Sequence, residues 1–190
     1  MQQVHCMAYK EPLSVQPQSE PRAHRSVAYS SVTDQVHMVF PNDLNANDTV
    51  FGGLIMALMD RLAVVVASRH AGRVCVTAGV DAVNFIAPAR RGDVLIYSVA
   101  VNRAWNTSME VGCRVEAERT GGGDRRHIIS AYLTFVAMDE QGQPQRVPEL
   151  LPESEVEKQR YEEAALRRSS RLAHAAELRA LRTRSGRGPG

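Results

Sequence analysis

Hydrophobic and polar positions divide the chain into one dense apolar block, several β-like runs and two polar ends. In the block, Leu54, Ile55, Met56, Leu58, Met59 and Leu62 lead into Ala63-Val64-Val65-Val66 and leave no polar stripe. A helix that is apolar on every side belongs in an interior. It is too short to cross a membrane, because Asp60, Arg61 and Arg69 interrupt it and a span takes about 20 apolar residues. Gly72 stands where a left-handed helix cap is expected. Before the block, Val27 to Phe40 alternates in part and is stopped by Pro41-Asn42-Asp43, which predicts a strand. After it, residues 74–85, 94–103, 108–118 and 128–138 are rich in β-forming side chains. Turn-forming residues separate these runs at Gly92-Asp93, Gly121 to Asp124 and Asp139 to Gly142. One buried helix followed by a meander of long strands predicts an α+β fold, an antiparallel sheet covering a central helix.

The ends differ from this body. Residues 1–26 carry Pro12, Pro17 and Pro21, mixed charge and no secretory apolar region, so a disordered leader is expected there. A mitochondrial transit peptide is the alternative, and Glu11 and Glu20 stand against it. Residues 151–190 turn charged and helical, with glutamates early and arginines late, the order a helix dipole favours. Val156, Leu166, Leu172, Leu178 and Leu181 are too sparse for a separate core. This tail is therefore expected to lie on the body, pair with a neighbouring subunit or fray, and to be basic and disordered at its end. If Arg167 to Arg187 only decorate the surface, cutting the chain after Glu163 leaves the body's activity unchanged and reduces only non-specific binding to polyanions. The body itself, residues 27–150, is the one domain expected of 190 residues that are 44% hydrophobic.

Charge and cysteine usage narrow the classes. The net charge of +2 conceals a tail of about +6 on a body of opposite sign. The tail has no interleaved aromatics and no helix-turn-helix pattern, so nucleic acid is not an expected partner. Cys6, Cys75 and Cys113 are odd in number, far apart and without a CxxC pair, which indicates neither a disulfide framework nor a zinc site. A reducing compartment, the cytoplasm, fits, with the mitochondrion as the alternative.

Candidate chemistry gathers at the start of the apolar helix. Glycines at 52 and 53 let another molecule approach bare backbone N–H groups, whose partial positive charge suits a developing anion. Asp60 follows about two turns later as general base or nucleophile. The structural alternatives are packing glycines and an aspartate paired with Arg61 or Arg69. Asn47, Asp48 and Thr49 either shape the loop or touch water and substrate. His37 and His70 lack partners at metal spacing, no metal site is expected, and no GxSxG elbow is present.

Several blocks in order resemble one family: FGGLIMALMD (Phe51 to Asp60), ASRHAG (Ala67 to Gly72), VTAGVDAVNFIAP (Val76 to Pro88), WNTSMEV (Trp105 to Val111) and VPELLPESEVEKQRYEE (Val147 to Glu163). The chain is similar to hotdog-fold acyl-CoA thioesterases of the cytosolic, brain-type group and their single-domain bacterial relatives. The resemblance implies a long helix wrapped by a sheet, dimers whose sheets join edge to edge, and sites at the dimer interface. A homodimer, or a trimer of dimers, would supply both halves of each site. It implies hydrolysis of fatty acyl-CoA, with coenzyme A part of the substrate and no separate cofactor. Asp60 falls at the catalytic acid, Gly53 at the oxyanion donor, and Asn47 or Asp48 beside them. Substrate contacts are expected from Gly52, Thr49, Asn84, Arg103, Asn106, Thr107 and Ser108. The chain departs from the family at Phe51, commonly His, and at Thr49, which is Asn or Asp in active relatives. An acyl-CoA-binding regulator with a basic tail is the rival reading, and a dehydratase would want a histidine where Asp60 stands.

Overall fold

The computed structural model describes residues 23–184, so the expected leader lies outside the described residues as far as residue 22, and Cys6 with it. Its last residues are not leader: β1 (His24–Ser26) pairs in parallel with β7 (Glu149–Leu151). β2 (Val32–Met38) is shorter than the run at 27–40, because residues 27–30 turn before it. A 3-10 turn at Pro41–Asp43 leads to the loop before α1 (Gly52–Ala71), which ends on Gly72 at φ 71°. The meander follows as β3 (Cys75–Phe85), β4 (Asp93–Ala104), β5 (Ser108–Arg119) and β6 (Arg126–Ala137), and α2 (Glu155–Arg184) closes the described chain.

Five strands form one antiparallel sheet in the order β2-β4-β5-β6-β3. On β6, Ile129, Ala131, Leu133, Phe135 and Ala137 are buried while the residues between them are partly exposed, the period of two that a one-sided core imposes. That inner face wraps α1, whose Ile55, Met59, Ala63, Val66 and Ala67 are buried. The result is the α+β hotdog arrangement of a central helix wrapped by a sheet. Among the described residues β3 ends the sheet with one edge unpaired over its 11 residues. Beside it Val74, Val76, Val80, Phe85 and Ile86 are exposed, as are Met56 and Val65 on α1. A long apolar edge invites pairing with another chain.

His70, near the end of α1, is fully buried and donates Nε2–H to the Pro148 carbonyl at 3.2 Å. Burial, and the nearby Arg25 charge to a smaller degree, hold its imidazole below the ordinary value, although the bond to Pro148 works the other way.

α2 lies across the outer face of the sheet, held by a ladder of arginines. Arg103 of β4 stacks on Tyr161 at 4.0 Å and donates to the Tyr161 carbonyl at 3.2 Å. Arg167 stacks on Tyr132 at 3.7 Å and reaches both oxygens of Glu110, with Nη2 to Oε1 at 2.7 Å and Nε to Oε2 at 3.1 Å. Arg168 covers Trp105 at 4.4 Å and donates to Ser108, and Arg171 bonds Asp81. Glu110 is wholly buried and also accepts from Asn102 at 2.9 Å, a contact that passes where a Cβ on Gly112 would lie. Burial opposes charge on Arg167, but the Glu110 hydrogen bonds and charge outweigh it. Of the three alternatives for the tail, α2 as far as Arg171 takes the first and lies on the body, so Arg167, Arg168 and Arg171 do more than decorate the surface. Removing them uncovers a buried carboxylate.

Two outcomes follow. Replacing Arg167 with Met costs about 3 kcal/mol or more in chemical denaturation, because Glu110 is left charged and buried, and adding Glu110→Gln recovers much of the loss. Stability that His70 contributes by staying neutral is complete above about pH 6.5 and declines as pH falls below it, since the unfolded imidazole then takes a proton the folded one resists. Lowering the pH from about 7.5 to about 5.5 therefore drops the melting temperature more in the wild type than in His70→Gln. Equal slopes would remove His70 from the account.

Candidate functional site

The loop before α1 is organised by Asn45. Its Oδ1 accepts N–H bonds from Asn47 at 2.9 Å and Thr49 at 3.4 Å, and its Nδ2 donates to the Thr49 hydroxyl at 2.9 Å. Backbone bridges hold Thr49 against Arg90 and Leu44 against Val50, and the Phe51 N–H donates to the Asp43 carbonyl at 2.8 Å. The loop thus delivers the chain to α1 in a fixed direction. Phe51 caps the helix without a side-chain hydrogen bond, and only its backbone carbonyl serves the first turn, accepting the Leu54 N–H at 3.0 Å. A Cβ at Gly53 would meet the Phe51 ring at 2.4 Å, and one at Gly52 the Phe85 ring at 3.0 Å. The glycine pair is therefore a packing need and an opening at once. Beside it a cavity of about 400 Å³ is lined by Asn45, Thr49, Gly52, Ile55, Phe85 and Ile86 among others.

Asp60 is half-buried on α1, and its Oδ1 accepts the Thr77 hydroxyl at 2.8 Å. Neither Arg61 nor Arg69 is the partner of that oxygen. Thr77 stands on the exposed edge strand β3, so the pair faces the surface rather than the core. Seven residues of helix separate Gly53 from Asp60, about 10 Å at 1.5 Å per residue. A group hydrogen-bonded to the Gly53 N–H is therefore out of hydrogen-bond reach of the Asp60 carboxylate of the same chain.

The other singled-out residues fall in three places. Asn47 and Asp48 lie on the far side of the loop and line a second cavity of about 560 Å³ with Leu44, Arg90, Arg91 and Arg119. Asp48 takes a left-handed φ of 55° there. Arg119 reaches the buried Asp93, which also binds Arg126 and the Arg90 N–H, so Asp93 fixes the floor of this basic hollow. Asn84 is exposed on β3, paired in register with Ser130. Arg103, Asn106, Thr107 and Ser108 lie at the opposite end of β4 from Asp93. There Arg103 and Ser108 hold α2, and the backbone carbonyls of Asn106 and Thr107 accept from Val147 and Ala137 at 3.0 Å each. Asn45 and Thr77 were passed over in the sequence. Burial pushes the Cys75 thiol up to about 11 and the Cys113 thiol up to about 12, so neither is a thiolate nucleophile at neutral pH. Among the described residues no group of three or more His, Cys, Asp or Glu side chains could hold a metal ion, and no helix is long and apolar enough to cross a membrane.

Comparison with known proteins gives these geometries a setting. The model of the thioesterase superfamily matches residues 47–123. The mouse cytosolic acyl coenzyme A thioester hydrolase is 39% identical over 151 residues, which cover 78% of this chain and 39% of the mouse protein. The chain thus spans well under half the length of that relative. The acyl-CoA hydrolase of Staphylococcus aureus, solved in complex with butyryl coenzyme A and coenzyme A, superposes with a TM-score of 0.78 at 36% identity, over 86% of this chain and 99% of that one. An apo hexameric acyl-CoA thioesterase superposes with the same score of 0.78 at 38% identity, over 81% of this chain and 98% of that one. The Staphylococcus protein was also solved with an asparagine, an aspartate and a threonine each replaced by alanine, at successive spacings of 15 and 17 residues. Asn45, Asp60 and Thr77 stand at those spacings in this chain.

Proposed function

The chain belongs to the thioesterase superfamily, and we propose that it hydrolyses acyl-CoA to a free acid and coenzyme A at a site built by two copies of itself. The observation that carries this reading is the trio Asn45, Asp60 and Thr77: two of the three are hydrogen-bonded, and the third lines the cavity at the start of α1. Water attacks the thioester carbonyl, its proton passes to the Asp60 carboxylate, and the thiolate of coenzyme A leaves and takes up a proton. Direct attack by Asp60 to give an anhydride, followed by hydrolysis, uses the same placement. Either way the Thr77 hydroxyl holds the carboxylate in one orientation, and the Gly53 N–H stabilises the oxyanion. Asn45 replaces Asn47 and Asp48 in the proposal as the loop side chain facing substrate.

The two halves meet across the unpaired edge. If β3 pairs antiparallel with its copy about the middle of the strand, Thr77 and Asp60 of one chain come beside Val83 to Phe85 of the other. Phe85 lines the cavity that holds Asn45 and Gly52. The exposed valines of β3 are covered in the same step, which supports a homodimer as the active unit. The butyryl coenzyme A complex of the Staphylococcus relative supports acyl-CoA as substrate, and the hexameric assembly of the other solved relative supports a working unit of more than one copy.

Asp60→Asn is expected to lower kcat by about 100-fold or more with KM little changed, and Asn45→Ala to lower it by a comparable factor. Mixing the two inactive variants during refolding or coexpression then restores roughly a quarter of wild-type activity, because half the dimers are mixed and each carries one intact site. Absence of recovery would mean that each chain holds a complete site. The basic hollow of Arg90, Arg91 and Arg119 is the proposed seat of the coenzyme A phosphates. Arg90→Ala with Arg91→Ala should raise KM for acyl-CoA about tenfold and leave an acyl-N-acetylcysteamine thioester, which carries no phosphate, unaffected.

A further inference from the structure

The second half of α2 carries exposed leucines that neither the fold nor the proposed site uses. Tyr161 meets Arg103 on β4, and Arg171 meets Asp81 on β3. Those ten residues of helix rise about 15 Å, and the three strand spacings from β4 to β3 span about 14 Å. The helix therefore crosses the sheet nearly at right angles to the strands, and Arg171 marks the point where it passes over the last one. Thirteen helical residues remain beyond Arg171, about 20 Å of helix with no strand of the same chain ahead of them. Leu172 is 50% exposed, Leu178 40% and Leu181 59%. Leucines held in water along such a stretch gain by packing on an apolar surface.

We infer that residues 172–184 cross the β3 seam and pack on a second copy of this chain, lying over the outer face of its sheet beside its own α2. This rests on the edge-to-edge dimer proposed above. That arrangement extends the sheet past β3, and supplies a continuing outer face where the helix overshoots. Asp81 lies near the middle of β3, so two helices tied down at Arg171 and Asp81 cross the seam close to the two-fold axis, one from each side. They must run past each other antiparallel, and Leu172 and Leu178 fall in the stretch where they meet. The same arginine ladder that seats α2 on its own sheet thus aims its free end at the partner. The occupant is a second copy because the trajectory, the exposed leucines and the unpaired edge all converge on the same seam.

Sedimentation across a dilution series tests this on the full-length chain. Leu172→Glu with Leu178→Glu should weaken dimerisation at least tenfold, with activity lost at low nanomolar concentration and regained at higher concentration. Leu172→Met with Leu178→Met should behave as wild type. Hydrogen exchange should find the amides of residues 172–184 protected in the dimer and released on dilution. Unchanged dimerisation in the glutamate variant, or unprotected amides in the wild-type dimer, would overturn the inference while leaving the edge-to-edge dimer standing. A variant that falls from hexamer to dimer with the same dimer dissociation would also overturn it, since the helix would then contact another dimer. A wild-type chain that is monomeric at micromolar concentration would instead sink the edge-to-edge reading itself.

Discussion

An α-helix advances about 1.5 Å per residue, so Gly53 and Asp60 stand about 10 Å apart on one rigid rod. That rod cannot bend to bring them together, because its inner face is locked into the core through Ile55, Met59, Ala63 and Val66. A chemistry that needs both a backbone oxyanion donor and a carboxylate has then to draw one of them from another chain. The fold answers with an 11-residue edge strand left unpaired beside Thr77 and Asp60. On this reading dimerisation is the step that assembles the reacting groups, and a monomer holds two half-sites that face different neighbours.

The parts of the fold visible in the sequence are those written in local periodicity. α1 and the four long strands were legible because burial on one or all faces forces a repeat within a few residues, and turns between them carry glycine and aspartate. The β1–β7 pair was not, because two three-residue strands on either side of the body make no pattern and their pairing depends on the body between them. The docking of α2 was hidden for a similar reason. Arg167 and Glu110 are 57 residues apart, and nothing in an arginine-rich helix distinguishes the one side chain that enters a buried pair from those that remain in solvent.

Within the candidate site the boundary of legibility runs between residue type and side-chain direction. Asp60 and the glycine pair stood out because an acid on an apolar helix and glycines at its start are unusual for their surroundings. Thr77 did not, since threonine is a common strand former and its hydroxyl matters only once β3 lies against α1. Asn45, Asn47 and Asp48 are equivalent as turn formers in a sequence. The loop's hydrogen bonds separate them: Asn45 folds its amide onto Thr49 at the wall of one cavity, and Asn47 and Asp48 turn toward the arginines of another.

The buried Glu110 connects these levels. Placing a carboxylate in the outer layer of a sheet is costly unless a cation accompanies it, and Arg167 reaches it from an α2 that lies over Glu110 of β5 and Tyr132 of β6. That path fixes where Arg171 lands, at Asp81 on the strand that ends the sheet. The ion pair and the arginine contacts on either side of it therefore set the direction in which the remaining thirteen residues leave the protomer. A charge that contributes little net stability by itself can still decide geometry, because the helix it anchors is stiff and its error over about 20 Å is small. The arginines of the tail, which in the sequence look like a diffuse basic patch, act through position, and the sum of their charge is the less informative quantity.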